Sequence, residues 1–196
     1  MSGRRRWVRA AAVAAAAGGL VVLAACGDGE QEVAVPTRVD AALAPEVVHG
    51  DLKLYENRDE ETVAAFANAG ARSLVSDGKV WEIRRADRLV GALQVTTVLP
   101  TVDLSEEAVR STIVRQIIPG AQTRIRIDAV EVYTTEINDK AVFVWFGDGL
   151  YQVLQIKDAQ LDGAYEEVAT DVIRHQATVP AWKPLPDAIV ELDPTD

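Results

Sequence analysis

A nucleophile needs a hydroxyl or thiol with a base in reach, and this chain offers few of either. Its only cysteine is Cys26, and its only histidines are His49 and His175. Beyond residue 25 the serines are Ser73, Ser76, Ser105 and Ser111, and none stands in a Gly-x-Ser-x-Gly elbow. His49 precedes Gly50-Asp51, a loop signal. His175 ends an apolar-periodic run, where a helix C-terminus favours positive charge. Paired carboxylates, the groups for acid–base work, occur at Glu60-Glu61, Glu106-Glu107 and Glu166-Glu167. Each pair opens a predicted helix, and the helix dipole accounts for it there. One cysteine excludes an intramolecular disulfide and a cysteine-based zinc site. Asn138-Asp139 and Asp148 belong to turns and match no EF-hand loop. Gly147-Asp148-Gly149 joins two strands and opens no helix, so it is not a phosphate loop. No metal or cofactor is implied, and the expectation is a non-enzymatic protein. Trp81, Trp145, Tyr133 and Tyr151 are the candidates for facing an apolar ligand, although aromatics at these spacings first of all build a sheet's core.

The one group with a clear chemical setting is Cys26. Met1 to Arg9 is basic, with Arg4, Arg5, Arg6 and Arg9 and no acid. Ala10 to Ala25 is apolar and Ala-rich, about sixteen residues against the roughly twenty that a transmembrane helix needs. A basic start, a short apolar run and small residues before a cut make a signal peptide. Leu23-Ala24-Ala25-Cys26 resembles the lipobox of bacterial lipoproteins: an aliphatic residue, two small residues and a cysteine. The resemblance implies cleavage between Ala25 and Cys26, with the Cys26 thiol carrying a lipid. Arg4-Arg5-Arg6-Trp7-Val8-Arg9 is similar to a twin-arginine export signal, although any Arg-rich start also suits the general secretory route. The heavy use of Ala, Arg and Val resembles that of high-GC actinobacteria.

The formal charge of −10 rests on +4 in the first 25 residues and −14 in the remaining 171. So acidic a domain repels phosphate backbones, which argues against nucleic acid as a partner. Anionic headgroups repel it too, so it is not expected to lie flat on a membrane. Gly27 to Pro45 has no period and mixes acids, prolines and small residues. It reads as a disordered tether that holds the domain off the bilayer.

From Val47 onward the pattern is mixed. Val47 to Tyr55 reads as a short strand, and Asp59 to Gly70 as an Ala-rich helix. Val80 to Val98 reads as a hairpin turning at Ala86-Asp87-Arg88. Asp103-Leu104-Ser105-Glu106 resembles a capping box. It opens a helix with an apolar stripe of Ala108, Val109, Ile113, Ile117 and Ile118, with Arg110 off the stripe, ended by Pro119-Gly120. Arg124 to Ile156 is strand-rich, with turns at Asn138-Asp139 and Gly147-Asp148-Gly149 and a strand apolar on both faces at Ala141–Phe146. Asp162 to Gln176 reads as a helix with Asp162 as N-cap. The prolines after Val179 bar another helix, and Trp182 and Leu185 are expected to pin the start of that segment.

The expected fold class is α+β, an antiparallel sheet built from hairpins and packed with two or three helices. The expected organisation is a signal peptide over 1–25, a lipidated tether over 26–45, the domain over 46–183 and a Pro-rich acidic tail over 184–196. The element order is loosely similar to α/β/α sandwich lipoproteins of the PsbP-like kind, a resemblance of topology without a shared motif. Together these readings imply a protein anchored by lipid to the extracytoplasmic face of the cell membrane. It would bind an envelope protein there or carry an apolar ligand between sheet and helices.

Overall fold

The computed structural model describes residues 38–59, 74–118, 120–137, 139–158, 161 and 164–185. The signal peptide, Cys26 and the helix expected over Asp59 to Gly70 lie outside them, except for Asp59 itself.

The described elements are a 3-10 turn, Ala41–Leu43, then strands β1 (Val47–His49), β2 (Leu52–Asn57), β3 (Val75–Arg85) and β4 (Arg88–Val98). Helix α1 (Glu107–Ile117) follows, then β5 (Thr123–Ile127), β6 (Val130–Ile137), β7 (Lys140–Gly147), β8 (Leu150–Ile156) and helix α2 (Tyr165–Gln176). All eight strands form one antiparallel sheet in the order β1-β2-β3-β4-β8-β7-β6-β5. It is two four-strand meanders, each running from an edge inward, joined where β4 pairs with β8. The class is α+β with hairpin-built strands.

The hairpins follow from their loops. The loops β1–β2, β3–β4, β5–β6, β6–β7 and β7–β8 each hold two residues. Each also places one residue at positive φ: Gly50, Ala86, Asp128, Asp139 and Gly149. Left-handed residues in two-residue loops match the right-handed twist of the flanking strands. Asp and Gly enter that region at little cost, and Ala86 does so against its intrinsic preference. The Gly50-Asp51 loop signal divides Val47 to Tyr55, read as one short strand, into β1 and β2. The sequence reading missed the Asp128-Ala129 turn that divides Arg124 to Tyr133 into two strands.

Strand β7 explains how the layers sit. Ala141, Phe143 and Trp145 belong to one buried cluster with Trp81, Ile83, Leu93, Leu154 and Ile156, and with Val168, Ala169, Val172 and Ile173 of α2. The alternate residues Val142, Val144 and Phe146 join Tyr133, Tyr151 and Val153, and Ile113 and Val114 of α1, in a second cluster. Strand residues alternate between faces, so α2 packs on one face of the sheet and α1 on the other. A strand covered on both sides has no polar face, which is why Ala141–Phe146 is continuously apolar.

Two helix starts differ from expectation. Glu106 is the N-cap of α1 and makes no side-chain cap bond. Asp103 instead accepts from the Ser105 amide at 2.8 Å and the Ser105 hydroxyl at 2.6 Å, closing a turn before the helix. Arg110, expected on the polar side, is buried and donates to the carbonyls of Leu104 at 2.8 Å and Ser105 at 2.6 Å. Its guanidinium thus satisfies the turn that Asp103 begins, while Ala108 is exposed. Helix α2 starts at Tyr165 with Ala164 as N-cap, and Asp162 lies outside the described residues.

The packed part also extends past both expected boundaries. Val39, Leu43 and Pro45, read as tether, are buried. The amide of Val39 donates to Asp77 at 2.9 Å. At the other end Trp182 is buried on the α2 face. Pro184 bridges to Gly147, and Leu185 packs against the opposite face. A side chain at Gly147 would overlap the Trp182 ring, so the absent Cβ lets the chain cross there.

Candidate functional site

The four candidate ligand-facing aromatics divide between the two faces. Trp81 and Trp145 lie under α2, and Tyr133 and Tyr151 under α1, all at most 5% exposed. No single surface brings the four together. Tyr133 packs edge-on to Phe146 with centroids 6.0 Å apart, and Tyr151 lies 6.3 Å from Phe146. The Arg124 guanidinium stacks over Tyr133 at 5.1 Å. It also pairs with Glu107 at 2.6 Å and Glu131 at 3.3 Å. The Arg124 contact holds the Glu107 carboxyl below its ordinary range, and Glu107 raises the guanidinium in turn.

Burial and a hydrogen bond with Thr96 act in opposite senses on Tyr151, burial dominating, and its phenol is raised above the ordinary 10.0. The unfolded chain therefore gives up this proton at lower pH than the fold does. Stability linked to Tyr151 is complete below pH 10 and is lost as pH rises through the folded value. Urea unfolding between pH 8 and 11 should show a steeper alkaline decline for the parent than for Tyr151→Phe. Parallel curves would mean that Tyr151 is not the group responsible.

The histidines are held by structure. His49, at the end of β1, sets Nδ1 2.7 Å from Asp171 of α2, with Nε2 3.9 Å from Glu167. Both ring nitrogens face carboxylates one helical turn apart, which ties an edge strand to a helix. His175 donates through Nε2 to the Ala42 carbonyl at 2.9 Å, fastening the end of α2 to the 3-10 turn. Ser76 hydrogen-bonds Thr97 at 2.8 Å and Ser105 bonds Asp103. Ser73 and the Glu60-Glu61 pair lie outside the described residues. No three His, Cys, Asp or Glu side chains among the described residues form a metal-binding group.

Two polar clusters were not expected. Asp158, fully buried, meets Arg88 at 2.5 Å and Arg85 at 3.2 Å. Arg85 also reaches Asp51 at 3.4 Å. Gln176, also fully buried, accepts from Trp145 Nε1 at 3.1 Å and donates to the Leu43 carbonyl at 3.0 Å and to Gln152 Oε1. Arg85 and Arg88 bracketing the Ala86-Asp87 turn were the only sequence hint of the first cluster. A glutamine near a helix end gave none of the second.

An open cleft of about 300 Å³ lies beside these elements. Val80, Glu82, Leu89, Val90, Ala92 and Gln155 contribute to its lining, with Lys140 and Lys157 at the strand ends. It is mainly apolar, and Leu89 is 59% exposed. Glu82 is neutralised by Arg84 at 2.6 Å and receives Asn57 at 3.0 Å. The fold is an α+β domain, and this cleft is the main apolar concavity described on it. The chain matches no family model, no curated protein and no solved structure.

Proposed function

We propose that the chain is a lipoprotein held on the extracytoplasmic face of the cell membrane through Cys26, with a non-enzymatic domain that binds an envelope protein. The observation that carries this is Leu23-Ala24-Ala25-Cys26, placed after a basic start and a short apolar run and holding the chain's only thiol. Anchoring through Cys26 confines the domain near the bilayer and raises its effective concentration for a neighbouring partner. The non-enzymatic reading is supported by the engagement of both histidines in ties between elements.

Cys26→Ala is the direct test. In its native host, an alkyne palmitate analogue should label the parent and leave the variant unlabelled and unprocessed. Labelling of the variant at parental level would end the anchor reading.

A second reading, a carrier of an apolar ligand, is favoured by the open apolar cleft at Leu89, Val90 and Ala92. The spaces beneath the two helices are filled by core side chains, which directs this reading to the cleft.

A further inference from the structure

The chain covers one edge of its own sheet with a lightly held segment. Residues 39–49 run from Asp77, near the start of β3, to the outer edge of β2. Val39 donates to Asp77 at 2.9 Å, and His175 and Gln176 of α2 bond the carbonyls of Ala42 and Leu43 at 2.9 and 3.0 Å. His49 reaches Asp171 at 2.7 Å. Each of these ties is a single polar contact. β1 meets β2 at Val47–Lys53 and His49–Leu52, with an irregularity between, and Leu54 donates to the Glu46 carbonyl at 3.2 Å. β2, in contrast, pairs with β3 along its whole length, Leu52 to Asn57. Val39, Leu43, Pro45 and Val48 are the segment's buried residues, set against the ordering of its entire backbone. Gly50, at φ 55° with open space where a Cβ would stand, leads it into β2. A short edge element with few buried side chains opens at lower free energy than the strands it covers.

We propose that residues 39–49 are a releasable strap that swings out about Gly50-Asp51, and that the bared edge of β2 accepts a strand of the domain's protein partner. This names the mode of the partner binding proposed above and rests on that reading. The slot itself says what the incoming strand carries. Leu52 and Leu54 are buried with Val48 in the core on the α2 face, so an apolar residue takes the place of Val48. Glu167 and Asp171, one helical turn apart, face the place of His49 at 3.9 and 2.7 Å. A lysine or arginine there is charged across the physiological range, which an imidazole is not, and it outcompetes His49 for the two carboxylates. Backbone bonding along an edge supplies affinity, and such side chains supply selection. The opposite edge, β5, is the poorer surface. Arg124 stands on it, stacked on Tyr133 and paired with Glu107 and Glu131, and a charged edge strand resists pairing.

The test uses the full chain in lipid nanodiscs. Amide exchange should show residues 39–49 opening as one unit, faster than β3 and β4. Fluorescent peptides of residues 38–49 serve as probe strands. The peptide with His49→Lys should bind about tenfold more tightly than the peptide with His49→Glu, and Asp171→Asn in the protein should shrink that ratio. A disulfide between Val47→Cys and Lys53→Cys, register partners with exposed side chains, pins the strap and should abolish peptide binding until it is reduced. Exchange at 39–49 no faster than in β3 and β4 would overturn the strap. No peptide binding, binding that persists with the disulfide closed, or equal binding of the lysine and glutamate peptides would overturn the β2 edge as the surface. Each of these results leaves the anchor reading standing, because Cys26→Ala tests that alone.

Discussion

Gln176→Leu is expected to lower unfolding stability by about 4 kcal/mol. The side chain is fully buried and serves three partners: the Trp145 indole N–H, the Leu43 carbonyl and the Gln152 amide. Leucine fills similar volume but makes none of these bonds. Each buried polar group left unmatched costs about 1–3 kcal/mol. The total is less than a simple sum because Gln152 and the 3-10 turn can adjust. Gln176→Glu separates packing from bonding. It keeps the acceptor for Trp145 but replaces the amide donor with a carboxylate against a carbonyl. Urea unfolding read by tryptophan fluorescence measures both. If Gln176→Leu stays within 1 kcal/mol of the parent, the network does not stabilise the fold.

Asp158→Ala carries the second large effect, about 3 kcal/mol. Removing one partner of a buried ion pair costs roughly 3–5 kcal/mol because the other charge is left uncompensated. The lower end applies here, since Arg88 is 59% exposed and can turn to water. Arg85 is only 21% exposed, so the loss of Asp158 falls mainly on its charge. The prediction is asymmetric. Arg88→Ala should cost about 1 kcal/mol, because Asp158 keeps Arg85 and the lost group was largely solvated. Equal losses for the two variants would show that the pair behaves as a surface bridge. The cluster joins the β3–β4 turn to the chain leaving β8, so its loss should also raise amide exchange at the Arg88 end of β4.

Much of the fold was legible because its signals are local. The β3–β4 hairpin, the doubly covered strand Ala141–Phe146, the two helices around Ile113 and Val172 and the pinning by Trp182 each follow from period, turn residues or composition within a dozen positions. One turn escaped: Asp128-Ala129 carries no glycine, and its left-handed residue is an aspartate. The capping reading at Asp103 failed because Asx turns and N-caps use the same side chains for the same purpose, and spacing alone does not separate them.

By itself the sequence determined the single thiol, the acidic balance and the class of the domain. A lone cysteine, a charge sum and alternation along a strand are properties of the chain read in order. Which face each aromatic serves, the meeting of Asp158 with Arg85 and Arg88, the engagement of both histidines and the cleft at Leu89 were decided only by tertiary structure. The pairing of β4 with β8 sets the register between the two meanders, and Asp158 meets the Arg85–Arg88 turn beyond its end, 70 positions from Arg88. No local preference specifies that register. It follows from burying both faces of the sheet at once, because a slip of one residue would turn every apolar side chain of β8 to the other face.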